Sequence, residues 1–158
     1  GRADGCSIQE IVAILAHELG HWKMWHTACN LVVVQAHLLV FFFGLGGMLG
    51  YAGLYASFGF ADERATVIGL LLFSNIVSPV EHVLNFLQHL LSRRFEYQAD
   101  QFAVDQGRGK DLSAGLIKIS KENKSNANPD ALYSAYHHTH PALIERLDAI
   151  ERAMKKRN

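Results

Sequence analysis

Twenty-four consecutive residues without a formal charge, Leu31 to Leu54 (LVVVQAHLLVFFFGLGGMLGYAGL), constrain this chain more than any other feature. At about 1.5 Å per helical residue, such a run is long enough to cross a hydrocarbon core. A second apolar run starts at Thr66 and continues to about Leu91, broken by Pro79, and the short charged connector SFGFADERA joins the two. Two membrane spans, about 31–54 and 66–91, are therefore expected as a hairpin. Gly44, Gly46, Gly47, Gly50 and Gly53 would weaken a soluble helix, but in lipid they favour close packing against neighbouring helices.

Most charged residues lie outside this hairpin. Fifteen basic and fifteen acidic side chains cancel, which leaves no basic excess to attract nucleic acid as a partner. Cys6 and Cys29 lack the spacing of a disulfide framework or a thiolate metal site and are expected as buried thiols. The chain opens at Gly1, so it reads as the C-terminal fragment of a longer parent whose upstream helices are missing.

Around the hairpin the pattern is helical throughout. Ile8, Ile11, Val12, Leu15 and Leu19 recur at helical spacing in a segment from about Ser7 to Thr27, with Ser7 as N-cap and Glu10 completing a capping box. Beyond Val80, His82, Asn85, His89, Glu96 and Asp100 align on one helix face. At membrane depth such a face meets a hydrated cavity or other helices; otherwise the helix is leaving the bilayer among headgroups. QGRGK (106–110) reads as a turn, Leu112–Glu122 as a helix, KSNANPD as a polar linker, and Pro141–Lys156 as a final amphipathic helix. The expected fold is all-α, with three parts. These are an N-terminal helix (1–27), the transmembrane hairpin (28–91), and the helical region that follows it (92–158).

HELGH, at positions 17–21, carries the chemistry. Two histidines four apart project from one helix face towards a single ion, and neutral imidazoles suit zinc. Glu18 is then placed to take a proton from water acidified by the metal, the step that peptide hydrolysis needs. Residue frequencies alone give roughly 0.03 chance matches to this pattern in a chain of this composition. The competing reading is a polar helix face with satisfied histidines. Catalytic zinc takes three protein ligands, and a ligand six places after His21 is ruled out because Thr27 stands there, with Met24 where a glycine is required. Glu96, in RRFEYQAD, is the better third donor because the hairpin returns the chain to the side of HELGH. Asp100, one turn further on, either orients a ligating histidine or is an ordinary helix carboxylate. His26, His37, His82 and His89 lack ligand spacing and read as interfacial or interhelical hydrogen-bonding groups.

HELGHW, a two-span hairpin, RRFEYQAD and then HHTHPALIERL, in that order, resemble the C-terminal part of the zinc-dependent CAAX prenyl proteases, from Ser7 to Met154. The resemblance implies a multi-pass endoplasmic reticulum membrane endopeptidase that encloses a hydrated chamber and removes the last three residues of prenylated CAAX proteins. It implies one Zn2+ held by His17, His21 and Glu96, Glu18 as the base, and Asp100 in support. It also implies that His140 and Arg146 stabilise substrate or oxyanion; without it, these two read equally as a loop residue and a surface ion-pair partner.

Lys23, Arg93, Arg94, Arg108 and Lys110 flank the zinc side of the hairpin while the connector offers Arg64, so the zinc side is expected to face the cytosol. A prenylated substrate would rest its lipid in the bilayer and its tail in the chamber. The closing KKRN is either a dilysine retrieval signal or the basic end of an exposed helix. Two other functions fit the same residues: a membrane-protein quality-control zinc protease, and a non-catalytic zinc-binding membrane scaffold. The retained Glu18 argues against the scaffold, which would not need it to bind zinc.

Overall fold

A computed structural model describes residues 6–62, 64–124 and 126–157, and among these every regular element is helical. The helices are α1 (Ile8–Lys23), α2 (His26–Leu49), α3 (Ala52–Ser57), α4 (Thr66–Asp105), α5 (Gly109–Glu122), α6 (Ala131–His137) and α7 (Leu143–Arg157). They divide into two compact units: residues up to Thr27 together with those from Phe86 onward, and Ala28–Asn85.

Within the Ala28–Asn85 unit, α2 and the first half of α4 are long and apolar enough to cross a membrane. None of the most apolar window of α2, and 11% of that of α4, is buried by the chain itself. A core helix of a soluble protein would be covered; these helices present their side chains outward, as a membrane hairpin does. Phe41 meets Phe73 edge to face at 5.2 Å, and His37 Nε2 pairs with Glu81 Oε1 at 3.0 Å. That pair satisfies two polar groups that would be costly alone in lipid. Close packing at glycine is realised at Gly44, where a methyl group would touch Phe73, while Gly46 and Gly47 have open space beside them.

Several boundaries differ from those the sequence suggested. The first apolar run is not one helix to Leu54: α2 ends at Leu49 and a short α3 follows. Pro79 does not break the second run, because it lies inside α4, a single helix of 40 residues. Proline removes one backbone donor, a loss that a long helix tolerates when its other hydrogen bonds remain. α6 forms where no helix was expected, capped by the Asp130 carboxylate accepting from Tyr133 N at 2.9 Å. The cysteines are not buried: Cys6 is half-buried, and Cys29 lies exposed on α2, a helix the chain leaves uncovered. In KKRN, Lys155–Arg157 belong to α7, and Asn158 lies outside the described residues.

The other unit has a small core of Ala13, Ala16, Ala103, Val104, Leu112 and Ile150. Fully burying a side chain such as Leu112 or Ile150 contributes about 1.5–3 kcal/mol each. Gly20 allows α1 to lie directly on α4, since a Cβ there would stand 3.1 Å from both Ala99 Cα and Phe102 Cβ. The turn into α5 uses Gly107 at φ 77°, a conformation open to glycine at little cost. α1 is oriented against its hydrophobic pattern. Glu10, Ala13, Ala16, His17 and Gly20 are buried, whereas Ile8, Ile11, Val12, Leu15 and Leu19 are 38–77% exposed.

The start of α1 matches its sequence signals. Ser7 Oγ accepts from Glu10 N, and Glu10 Oε2 accepts from Ser7 N at 2.6 Å. Lys118 Nζ of α5 donates to the same oxygen at 2.7 Å, and this hydrogen bond, with the Ser7 contact, holds the Glu10 carboxyl below its ordinary value of 4.5. A carboxyl with a lowered folded-state pKa stabilises the fold above its unfolded pKa and loses that contribution as pH falls through the folded value. The melting temperature should therefore exceed that of Glu10→Gln at neutral pH, and the gap should close as the pH falls below the ordinary carboxyl value of 4.5 and through the lowered one. A gap unchanged between neutral and acid pH in thermal melts would count against this linkage.

Candidate metal centre

α1 and α4 build the centre between them. His17 and His21 sit one turn apart on the α1 face that Gly20 presses against α4, and Glu96 and Asp100 sit one turn apart on the facing side of α4. One ligand atom from each of His17, His21 and Glu96 falls within 4.8 Å of the others. The Nε2 atoms of the two histidines are 3.2 Å apart, His17 Nε2 is 3.6 Å from Glu96 Oε2, and His21 Nε2 is 3.4 Å from Glu96 Oε1. Donors about 2.0–2.1 Å from a tetrahedral zinc lie about 3.3 Å from one another, so the three fit such an ion. Burial pushes the His21 imidazole pKa down, favouring the neutral form that a metal requires.

The carboxylates and Arg146 form a tight assembly behind the donors. Asp100, 2% exposed, accepts from His17 at Nδ1 (2.9 Å) and from the Arg146 guanidinium through both oxygens (2.7 and 2.9 Å). Arg146 Nη1 also reaches Glu96 Oε2 at 3.2 Å. The guanidinium is thus engaged by two buried carboxylates. His140 is the more accessible of the two residues from HHTHPALIERL: its side chain is 65% exposed and its Nδ1 is 3.1 Å from Glu96 Oε1. That carboxylate raises the His140 pKa and so favours a ring that can donate a hydrogen bond.

Glu18 is exposed and lines a cleft of about 430 Å³ together with His17, His21, Glu96, His140 and Arg146. A larger cleft of about 930 Å³ shares Leu116, Ile119, His140 and Arg146 with it. All seven residues singled out from the sequence therefore meet in one place.

Two groups support the centre through partners that the sequence did not specify. Arg93, counted there as a flanking membrane charge, is buried and bonds Ser134 Oγ (3.0 Å), His140 O (3.3 Å) and Glu145 Oε2 (2.7 Å). It ties the segment carrying His140 to α4, while Glu145 Oε2 also accepts from Ala142 N at the start of α7. His26, five residues after His21, is 2% exposed and touches His21. Five is not a same-face spacing, and no pattern in the sequence announces the contact. It arises because α1 stops at Lys23 and Trp25 adopts φ 59°, a left-handed conformation that costs an L-residue about 1–2 kcal/mol.

Two histidines and a carboxylate around one point, with an exposed glutamate beside the first histidine, form the donor set of a mononuclear metallopeptidase on an all-helical membrane scaffold. The chain belongs to peptidase family M48, whose model matches residues 4–154. It is 45% identical over 153 residues to the CAAX prenyl protease 1 homolog of Mus musculus, covering 96% of this chain and 32% of that protein. To the Arabidopsis thaliana protein described in the same words it is 48% identical over 147 residues, covering 93% and 34%. The crystal structure of S. mikatae Ste24p matches with a TM-score of 0.77 at 34% identity, covering 89% of this chain and 36% of that one. The chain thus spans about a third of the length of the curated relatives it matches.

Proposed function

We propose that the protein is a zinc-dependent membrane endopeptidase that removes the C-terminal tripeptide from prenylated CAAX proteins. The convergence of His17, His21 and Glu96 beside Glu18 in one cleft carries this reading, and the names of the relatives supply the substrate class. His17, His21 and Glu96 would hold the metal, which when bound polarises the scissile carbonyl and acidifies water. Glu18 takes the proton of the attacking water and passes it to the departing amine. His140 reaches the same cleft and donates a hydrogen bond to the oxygen that becomes negative, while Asp100 and Arg146 keep His17 and Glu96 in place. The tail would lie in the adjoining clefts, and its prenyl group would stay in the bilayer. An endoplasmic reticulum address with the centre facing the cytosol fits substrates prenylated in the cytosol.

The deciding experiment offers purified protein a farnesylated CAAX peptide and its unprenylated twin, with tripeptide release followed by mass spectrometry. Release from the farnesylated peptide alone supports the proposal. Equal cleavage of both favours a quality-control protease, and bound zinc without cleavage of either favours a scaffold.

A further inference from the structure

His17 and His21 are held from behind by different means. The Nδ1 of His17 meets a charged carboxylate, Asp100, at 2.9 Å. The Nδ1 of His21 meets instead the Nδ1 of His26 at 3.0 Å, and the Nε2 of His26 meets Gln98 Oε1 at 3.0 Å. His26 is almost fully buried and stacks on Phe95 with ring centroids 4.2 Å apart and planes 9° from parallel, so its ring has little freedom to turn.

With His21 offering its Nε2 lone pair to a metal, its Nδ1 carries the hydrogen, and that hydrogen needs an acceptor. His26 accepts it only if its own Nδ1 is bare, which puts the His26 hydrogen on Nε2. The amide oxygen of Gln98 receives that hydrogen. Each contact in the series is consistent with a single tautomer at each ring.

The geometry points to His26 as a positioning residue that fixes the orientation and tautomer of His21 through a neutral His21–His26–Gln98 relay, the counterpart of Asp100 behind His17. This rests on His21 being a metal ligand, and the turn at Trp25 is what brings the relay within reach of it.

The test is zinc affinity, measured by competition with a chromophoric chelator on the purified protein, alongside melting of the zinc-free form. Removing such an outer partner weakens metal binding by about 10–100-fold, and His26→Leu should fall in that range with little change in the zinc-free melt. His26→Asn, whose amide oxygen stands where Nδ1 stood, should recover affinity to within about threefold of the wild type, a recovery that a packing role alone would not give. Gln98→Leu should weaken binding in the same direction and by less. Wild-type affinity in His26→Leu, or equal losses in His26→Leu and His26→Asn, overturns the relay. If His26→Leu does not fold, Gln98→Leu decides it: weakened zinc binding with an unchanged zinc-free melt supports the relay, and wild-type affinity overturns it. Wild-type affinity in His21→Ala overturns the ligand reading and the relay with it, whereas zinc lost in His21→Ala but unaffected by His26→Leu overturns the relay alone.

Discussion

Glu18→Gln is expected to lower turnover of a farnesylated CAAX peptide by roughly 10²–10⁴-fold while leaving zinc content and melting temperature unchanged. That loss corresponds to about 3–5 kcal/mol of transition-state stabilisation, the contribution of a well-placed general base. The substitution is nearly isosteric and the side chain is exposed towards the cleft, so no buried interaction is lost with it. The neutral amide has no lone pair basic enough to take a proton from water, and the histidines either side of it are untouched. Full turnover in the variant would remove Glu18 from the mechanism. A loss of zinc together with activity would instead place its role in holding the metal.

The second large effect concerns stability. Arg146→Met should destabilise the protein by about 3–5 kcal/mol, because it leaves buried carboxylates without their cation. Asp100 and Glu96 are 2% and 5% exposed, and Arg146 contacts both. Arg146→Lys keeps the charge but cannot span both Asp100 oxygens with a planar fork, and should fall between the two. Thermal melts in detergent read the effect directly. Were Arg146 chiefly a substrate-binding group, Arg146→Met would keep the wild-type melt and lose catalytic efficiency alone.

Much of the centre could be read from local spacing. His17, Glu18 and His21 lie within one helix turn and a quarter, and helical geometry leaves little choice about where they point. Glu96 and Asp100 were accessible because the polar stripe and the return of the hairpin gave direction and side. His26 was not, because its contact with His21 depends on one residue, Trp25, turning to a positive φ that sequence preference disfavours. The buried partners of Arg93 were not legible, because a cation at the end of an apolar run has two fates, headgroups or a buried partner, and Ser134 and Glu145 are 41 and 52 residues away. The cysteines show the same limit: thiols are commonly buried, but Cys29 stands on a helix that the chain itself does not cover.

The reversed burial of α1 bears on how the molecule could be handled. A water-soluble catalytic unit cannot be obtained simply by cutting out the apolar hairpin and joining the flanking helices. The metal-bearing helix turns its small and polar residues inward and displays Ile8, Ile11, Val12, Leu15, Leu19 and Trp22 on its outside. A patch of that kind on an excised unit would draw copies together into aggregates, so any minimal version must be prepared in amphiphile or have those positions redesigned to polar residues.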